Sequence, residues 1–118
     1  MTAERQALNM KNLEYVLLLD CYGSLLTERQ RTLLEGYYDD DLSLAELAEP
    51  LGISRQAVHD SIRRGERQLE IFESQMGIAA RLKAARALFQ EIEILCEALP
   101  EPQRSRIAEA AGKGKALF

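Results

Sequence analysis

The 118-residue chain has no tryptophan, a single histidine, two cysteines and three prolines, and aromatic residues make up only 6% of it. Cys21 and Cys96 lie far apart and in no Cys-x-x-Cys spacing, so no disulfide framework is expected. His59 has no set of cysteines and carboxylates around it at metal-ligand spacing, so no metal site is expected. The acidic run Asp39-Asp40-Asp41 lacks the alternating ligands and the distant glutamate of a calcium loop. Neither a glycine-rich phosphate loop nor a Gly-x-Ser-x-Gly turn is present, which argues against an enzyme and against a bound cofactor. The longest apolar run, Tyr15 to Leu19, is five residues, against the ~20 that a spanning helix needs. With no basic–apolar–small leader at its start, the chain is expected to be cytoplasmic, with reduced thiols and no membrane insertion.

A surplus of positive charge is also missing. Fifteen Lys and Arg face nineteen Asp and Glu, for a net charge of −4. The excess lies in residues 1–42, with eight acids and four bases, whereas residues 43–69 hold four of each and residues 70–118 seven of each. Proteins that hold nucleic acid by charge alone are basic. Any such contact here is therefore local, or shared with a second subunit or a partner.

What remains is globular and helical. Hydrophobic residues are 47% and charged residues 29% of the chain, strand alternation is poor, and helical spacing recurs throughout. The first helix is predicted over Asn9–Tyr22, with Leu13, Val16, Leu17 and Cys21 on one side, Leu18 and Leu19 widening the stripe, and Gly23-Ser24 as its stop. Thr27 and Gln30 form a capping box for a second helix, which carries Leu33, Leu34, Tyr37 and Tyr38. A second box, Ser43 with Glu46, opens a third helix presenting Leu44, Leu47, Ala48 and Leu51, with Pro50 expected to shorten or kink it. Ser54 caps a fourth helix with Val58, Ile62, Gly65, Leu69, Phe72 and Met76 in heptad rhythm. Beyond Gly77 a new stripe runs Ile78, Leu82, Ala85, Phe89, Ile92, Cys96 and Leu99, until Pro100 and Pro102 end it. A last helix over Gln103–Ala111 precedes a Gly112–Gly114 tail expected to fray. The two heptad stripes predict a homodimer, and both cysteines fall on apolar stripes, as buried small hydrophobes do.

Residues 43–69 carry a mechanism. Two short helices flank Gly52-Ile53-Ser54 in the helix-turn-helix plan. Ala48 is small where the helices pass, Gly52 suits the positive φ of the corner, and Val58 plugs the space between, with Leu47, Leu51, Ile53 and Ile62 completing the core. The helix opening at Ser54 is then the recognition helix. Its amino-terminal amides and the Ser54 hydroxyl suit a phosphate, and its outer face offers Arg55, Gln56, His59, Asp60 and Arg63. Arginine pairs with guanine and glutamine with adenine, so Arg55 and Gln56 are the candidate base readers. Arg63, Arg64 and Arg67 suit phosphate, or alternatively a solvated face near Asp60, Glu66 and Glu70. Gly65, mid-helix, costs ~1 kcal/mol relative to alanine unless a neighbouring helix needs the space.

In combination, Cys21-Tyr22-Gly23-Ser24-Leu25-Leu26-Thr27-Glu28-Arg29-Gln30, Tyr37-Tyr38-Asp39-Asp40-Asp41-Leu42-Ser43-Leu44 and Ser54-Arg55-Gln56-Ala57-Val58 closely resemble the YlxM family of small bacterial helix-turn-helix proteins. The resemblance covers roughly residues 10–75, and the same stretch is similar to region four of sigma factors. It implies an all-α fold with a three-helical core like that of winged-helix domains, extended by long C-terminal helices. The expected division is a helix-turn-helix domain over residues 1–76 and a helical extension over 77–118, packed on that domain or on a second subunit. YlxM-like genes typically neighbour those for the signal recognition particle protein and its receptor. The resemblance thus implies a regulatory role in protein targeting, with DNA or the particle RNA as ligand. The alternative is an interaction module that binds the particle protein, its receptor or its RNA without sequence-specific DNA binding, the acidic amino-terminal third favouring a basic protein partner. His59, Ser61 and Gly65 depart from the residues usual in the family, on or beside the recognition face.

Overall fold

The computed structural model describes residues 13–117, and within them every regular element is helical. The helices are α1 (Leu13–Tyr22), α2 (Glu28–Tyr38), α3 (Leu44–Leu51), α4 (Arg55–Met76), α5 (Ile78–Cys96) and α6 (Gln103–Lys115), with a 3-10 turn at Gly23–Leu25. The chain divides into two compact units, residues 1–77 and 78–118.

In the first unit, α4 is the spine on which α1, α2 and α3 pack. Local chemistry sets the starts of its helices. Thr27 Oγ1 accepts from the Gln30 amide at 3.2 Å while Gln30 Oε1 accepts from the Thr27 amide at 3.4 Å. Ser43 and Glu46 exchange the same pair of bonds, both at 3.1 Å. Each box satisfies two amides that a helix start leaves without intrahelical partners. Pro50 does not shorten α3, because it falls in the last turn with only Leu51 still to come.

Leu33, Leu34, Tyr22, Val58 and Leu69 are the largest fully buried side chains. Removing a leucine of this kind from water stabilises the fold by about 1.5–3 kcal/mol. Gly65 sits where α2 crosses α4: a Cβ there would meet Leu34 Cδ1 at 2.7 Å. The glycine thus admits the leucine.

Several expectations are corrected. The predicted start of the first helix, Asn9–Asn12, lies outside the described residues. The inward face of α1 is Leu18, Leu19 and Tyr22, whereas Leu13 is 81% exposed and Cys21 only half-buried. An apolar run from Tyr15 to Leu19 covers all sides of a helix, so spacing alone cannot choose its face. Phe72 is half-buried and Met76 exposed, so the apolar seam of α4 weakens toward its C-terminal end.

In the second unit, α5 and α6 form a helical hairpin. Cys96 is buried, its thiol donating to the Glu93 carbonyl at 3.1 Å. α5 ends there, short of Leu99 and the prolines; the following turn carries 3-10-type bonds from Glu97 to Ile94 and from Leu99 to Cys96. The predicted tail does not fray. α6 runs on to Lys115, with Gly114 buried against the Phe89 ring and Lys115 Nζ 2.5 Å from Glu93 Oε1. The face of α5 shared by Phe89 and Glu93 therefore serves α6, and Leu88, Ile92, Leu95 and Leu99 are left exposed at steps of four, three and four.

Candidate nucleic-acid interface

The corner between α3 and α4 is Gly52, at φ 65° and ψ 28°, with its amide reaching the Ala48 and Glu49 carbonyls. An L-residue there would bring its Cβ against the following carbonyl. Two residues on, Ser54 accepts from the Ala57 amide at 3.0 Å and starts α4. Leu47, Ala48, Val58 and Ile62 are buried between the helices, in keeping with their spacing in the sequence. Leu51 is not: it is 38% exposed, since α3 is only eight residues long and its last turn projects past the crossing. Ile53 is half-buried.

The corner leaves Ser54, Arg55 and Gln56 exposed on the first turn of α4. Gln56 Nε2 donates to Asp60 Oδ1 at 2.9 Å. Arg63, Arg64 and Arg67 are exposed further along, and Arg64 donates to Ser61 Oγ at 3.1 Å. His59 turns partly inward, into a small hollow lined by Tyr37, Leu44, Ile62, Arg63 and Glu66. Its Nδ1 is shielded from solvent, makes no hydrogen bond and lies 3.8 Å from Asp60. Its side chain is still 39% exposed, so His59 lies at the edge between this hollow and the outer face.

The carboxylates expected to solvate the arginines are engaged elsewhere. Tyr38 donates to Glu66 Oε2 at 3.1 Å, Tyr22 to Glu73 Oε1 at 2.6 Å, and Tyr15 to Glu70 Oε1. Tyr15 stacks on Tyr38 with centroids 6.0 Å apart, and Tyr38 meets Tyr37 edge-on at 5.0 Å. Burial pushes the Tyr15 and Tyr38 hydroxyls well above the ordinary tyrosine range, and the neighbouring glutamates add to it, so both remain donors. Glu66 is only 4% exposed. Desolvation raises its carboxyl above the usual range, against the Tyr38 hydrogen bond and the charges of Arg63 and His59. Sequence reasoning missed this ladder, because its partners lie 28 to 55 positions apart. The signal the sequence did hold is that all four tyrosines fall on α1 and α2, and three of them meet glutamates of α4.

A second charged region gathers around Asp39. Burial first, and then Asp20, Glu35 and Asp40, raise its carboxyl. Among the described residues no cluster of His, Cys, Asp and Glu has the form of a metal site, and no helix is long and apolar enough to cross a membrane.

The same residues place the chain among known proteins. The sequence profile of UPF0122, described as "Putative helix-turn-helix protein, YlxM / p13 like", matches residues 9–106. The chain belongs to this family. The match extends past the helix-turn-helix domain into α6, further than the motifs alone reach. A UPF0122 protein of Desulforamulus reducens is 45% identical over 80 residues, 67% of this chain and 68% of the relative. One from Symbiobacterium thermophilum is 46% identical over 85 residues, 71% of this chain and 79% of its own. One from a Thermoanaerobacter strain is 41% identical over 97 residues, covering 79% and 83% respectively. Membership of a helix-turn-helix family and the all-helical fold together suggest nucleic-acid binding.

Proposed function

We propose that this protein is a non-enzymatic regulator that binds nucleic acid through α4, as a homodimer, in the signal recognition particle pathway. The observation that carries the reading is the state of the arginines. Arg55, Arg63 and Arg67 are exposed on the helix behind the Gly52 corner and form no short ion pair among the described residues, the Arg63 charge acting on Glu66 only at longer range. Arg55 and Gln56, on the first turn, read bases. Arg63, Arg64 and Arg67 hold phosphates and set the register. The balanced charge of residues 43–69 makes the grip local, and a second subunit doubles it. The exposed heptad seam of α5 supports that dimer.

The test is binding of the full chain to genomic duplex DNA and to the particle RNA across a salt titration. Each phosphate contact on duplex DNA adds about −0.9 to the slope of log K against log salt. Arg63→Ala with Arg67→Ala is expected to weaken binding to all sequences alike and flatten the slope by about 2. Arg55→Ala with Gln56→Ala is expected to relax sequence preference at a cost of about 1–3 kcal/mol. Absence of binding to either nucleic acid overturns the reading. It would favour a second one, in which the acidic region around Asp39 docks a basic surface of the particle protein or its receptor.

A further inference from the structure

On an isolated helix, Arg63 with Glu66 and Arg67 with Glu70 are neighbours at i, i+3, the spacing at which opposite charges meet. Elsewhere in this chain opposite charges at helical spacing do meet. Glu101 and Arg104, at i, i+3, are 2.7 Å apart, and at i, i+4 Arg31 and Glu35 are 2.8 Å apart and Glu109 and Lys113 3.3 Å. On α4 neither pair forms. Each carboxylate there that faces the arginines is occupied by a neutral donor: Asp60 by Gln56, Glu66 by Tyr38 and Glu70 by Tyr15. A neutral donor satisfies a carboxylate without consuming a cation.

We infer that Tyr15 and Tyr38 are positioning residues for nucleic-acid binding: by occupying Glu70 and Glu66 from α1 and α2, they keep Arg67 and Arg63 unpaired and available to phosphate. The inference rests on the reading of α4 given above and deepens it. An arginine already tied to a neighbouring carboxylate must break that pair before it meets a phosphate. An arginine whose acidic neighbours are bound elsewhere reaches the ligand with its donors uncommitted. The stacking of Tyr15 on Tyr38 couples the two holding groups, so α1 and α2 act on the arginine face without touching the ligand.

Tyr15→Phe is the clean variant, because Glu70 is exposed and its release leaves no buried charge, whereas Tyr38→Phe strands the buried Glu66. Two measurements on the full chain separate this inference from the function it builds on. The first needs no ligand. In Tyr15→Phe, Glu70 turns to Arg67, and NMR of the Arg67 guanidinium is expected to show hindered rotation that is absent from the wild type. An unchanged Arg67 signal overturns the inference, whether or not the protein binds nucleic acid. The second is anisotropy with a fluorescent mixed-sequence DNA duplex. Tyr15→Phe is expected to bind about 1.4- to 2.3-fold more weakly, the scale of one intrahelical ion pair, and adding Glu70→Gln is expected to restore affinity. Equal loss in Tyr15→Phe and in the double variant would assign the tyrosine a merely structural part and overturn the inference. Failure of the wild type to bind either nucleic acid would instead overturn the proposed function, with the NMR result still deciding the positioning.

Discussion

Glu66 is the charged residue buried among the described side chains of the core, held by Tyr38. Its folded-state carboxyl is raised, chiefly by desolvation, so the folded chain binds its proton more tightly than the unfolded chain does. By linkage, the associated stability is fully present below the unfolded glutamate value of about 4.3 and is lost as pH rises through the raised folded value. Glu66→Gln keeps an oxygen for the Tyr38 hydroxyl and removes the charge. Its expected outcome is stability at neutral pH equal to or higher than that of the wild type, by ~1 kcal/mol or less. The weakly acidic part of the stability profile should flatten, as denaturant melts at several pH values would record. A loss of stability at neutral pH would show that the ionised group is favoured in place.

At the scale of the element, the crossing of α2 over α4 depends on a missing side chain. Gly65→Ala would gain ~1 kcal/mol in helix propensity but drive a methyl to 2.7 Å from Cδ1 of the fully buried Leu34, which must shift to admit it. Overpacking of this kind costs about 1–3 kcal/mol, so the net expectation is a loss of ~1 kcal/mol, read as a lower denaturation midpoint with unchanged m-value. This crossing was legible before any coordinates, because a glycine in a helical seam weakens the helix unless a close neighbour fills the space it leaves. The capping boxes at Thr27 and Ser43 were legible for a related reason: both partners lie within four residues, so spacing alone specifies the bonds. The burial of Leu51 and the face of α1 were misread, since each depends on where a neighbouring helix stops or crosses. The tyrosine–glutamate ladder was invisible for the same cause, being made only when α1 and α2 dock on α4. The candidate arginines could thus be named from the sequence, but their freedom from ion pairs could not.

At the scale of the molecule, the proposed function asks an acidic chain to meet a polyanion, which two copies would meet better than one. Leu88, Ile92 and Leu95 stand exposed on α5 at steps of four and three, with Leu99 exposed in the turn beyond it, while Val58, Ile62 and Leu69, spaced in the same rhythm, are sealed in the first unit. In the proposed dimer these apolar side chains would be covered by the second copy. Light scattering is expected to give twice the chain mass, falling to the monomer for Leu88→Ser with Leu95→Ser. The same double variant should then halve the salt slope of DNA binding, because each half-site loses its tethered twin. A monomeric wild type at high concentration would remove the dimer from the proposal.

The length of α4 has a mechanical consequence. Twenty-two residues without a break make a rod ~33 Å long, gripped by phenols along its later turns, with Arg55 and Gln56 exposed on its first. There is no joint between the gripped turns and the exposed tip. A push on the tip is therefore carried as a tilt of the whole shaft, and the rings that hold it are placed to feel whatever the tip touches.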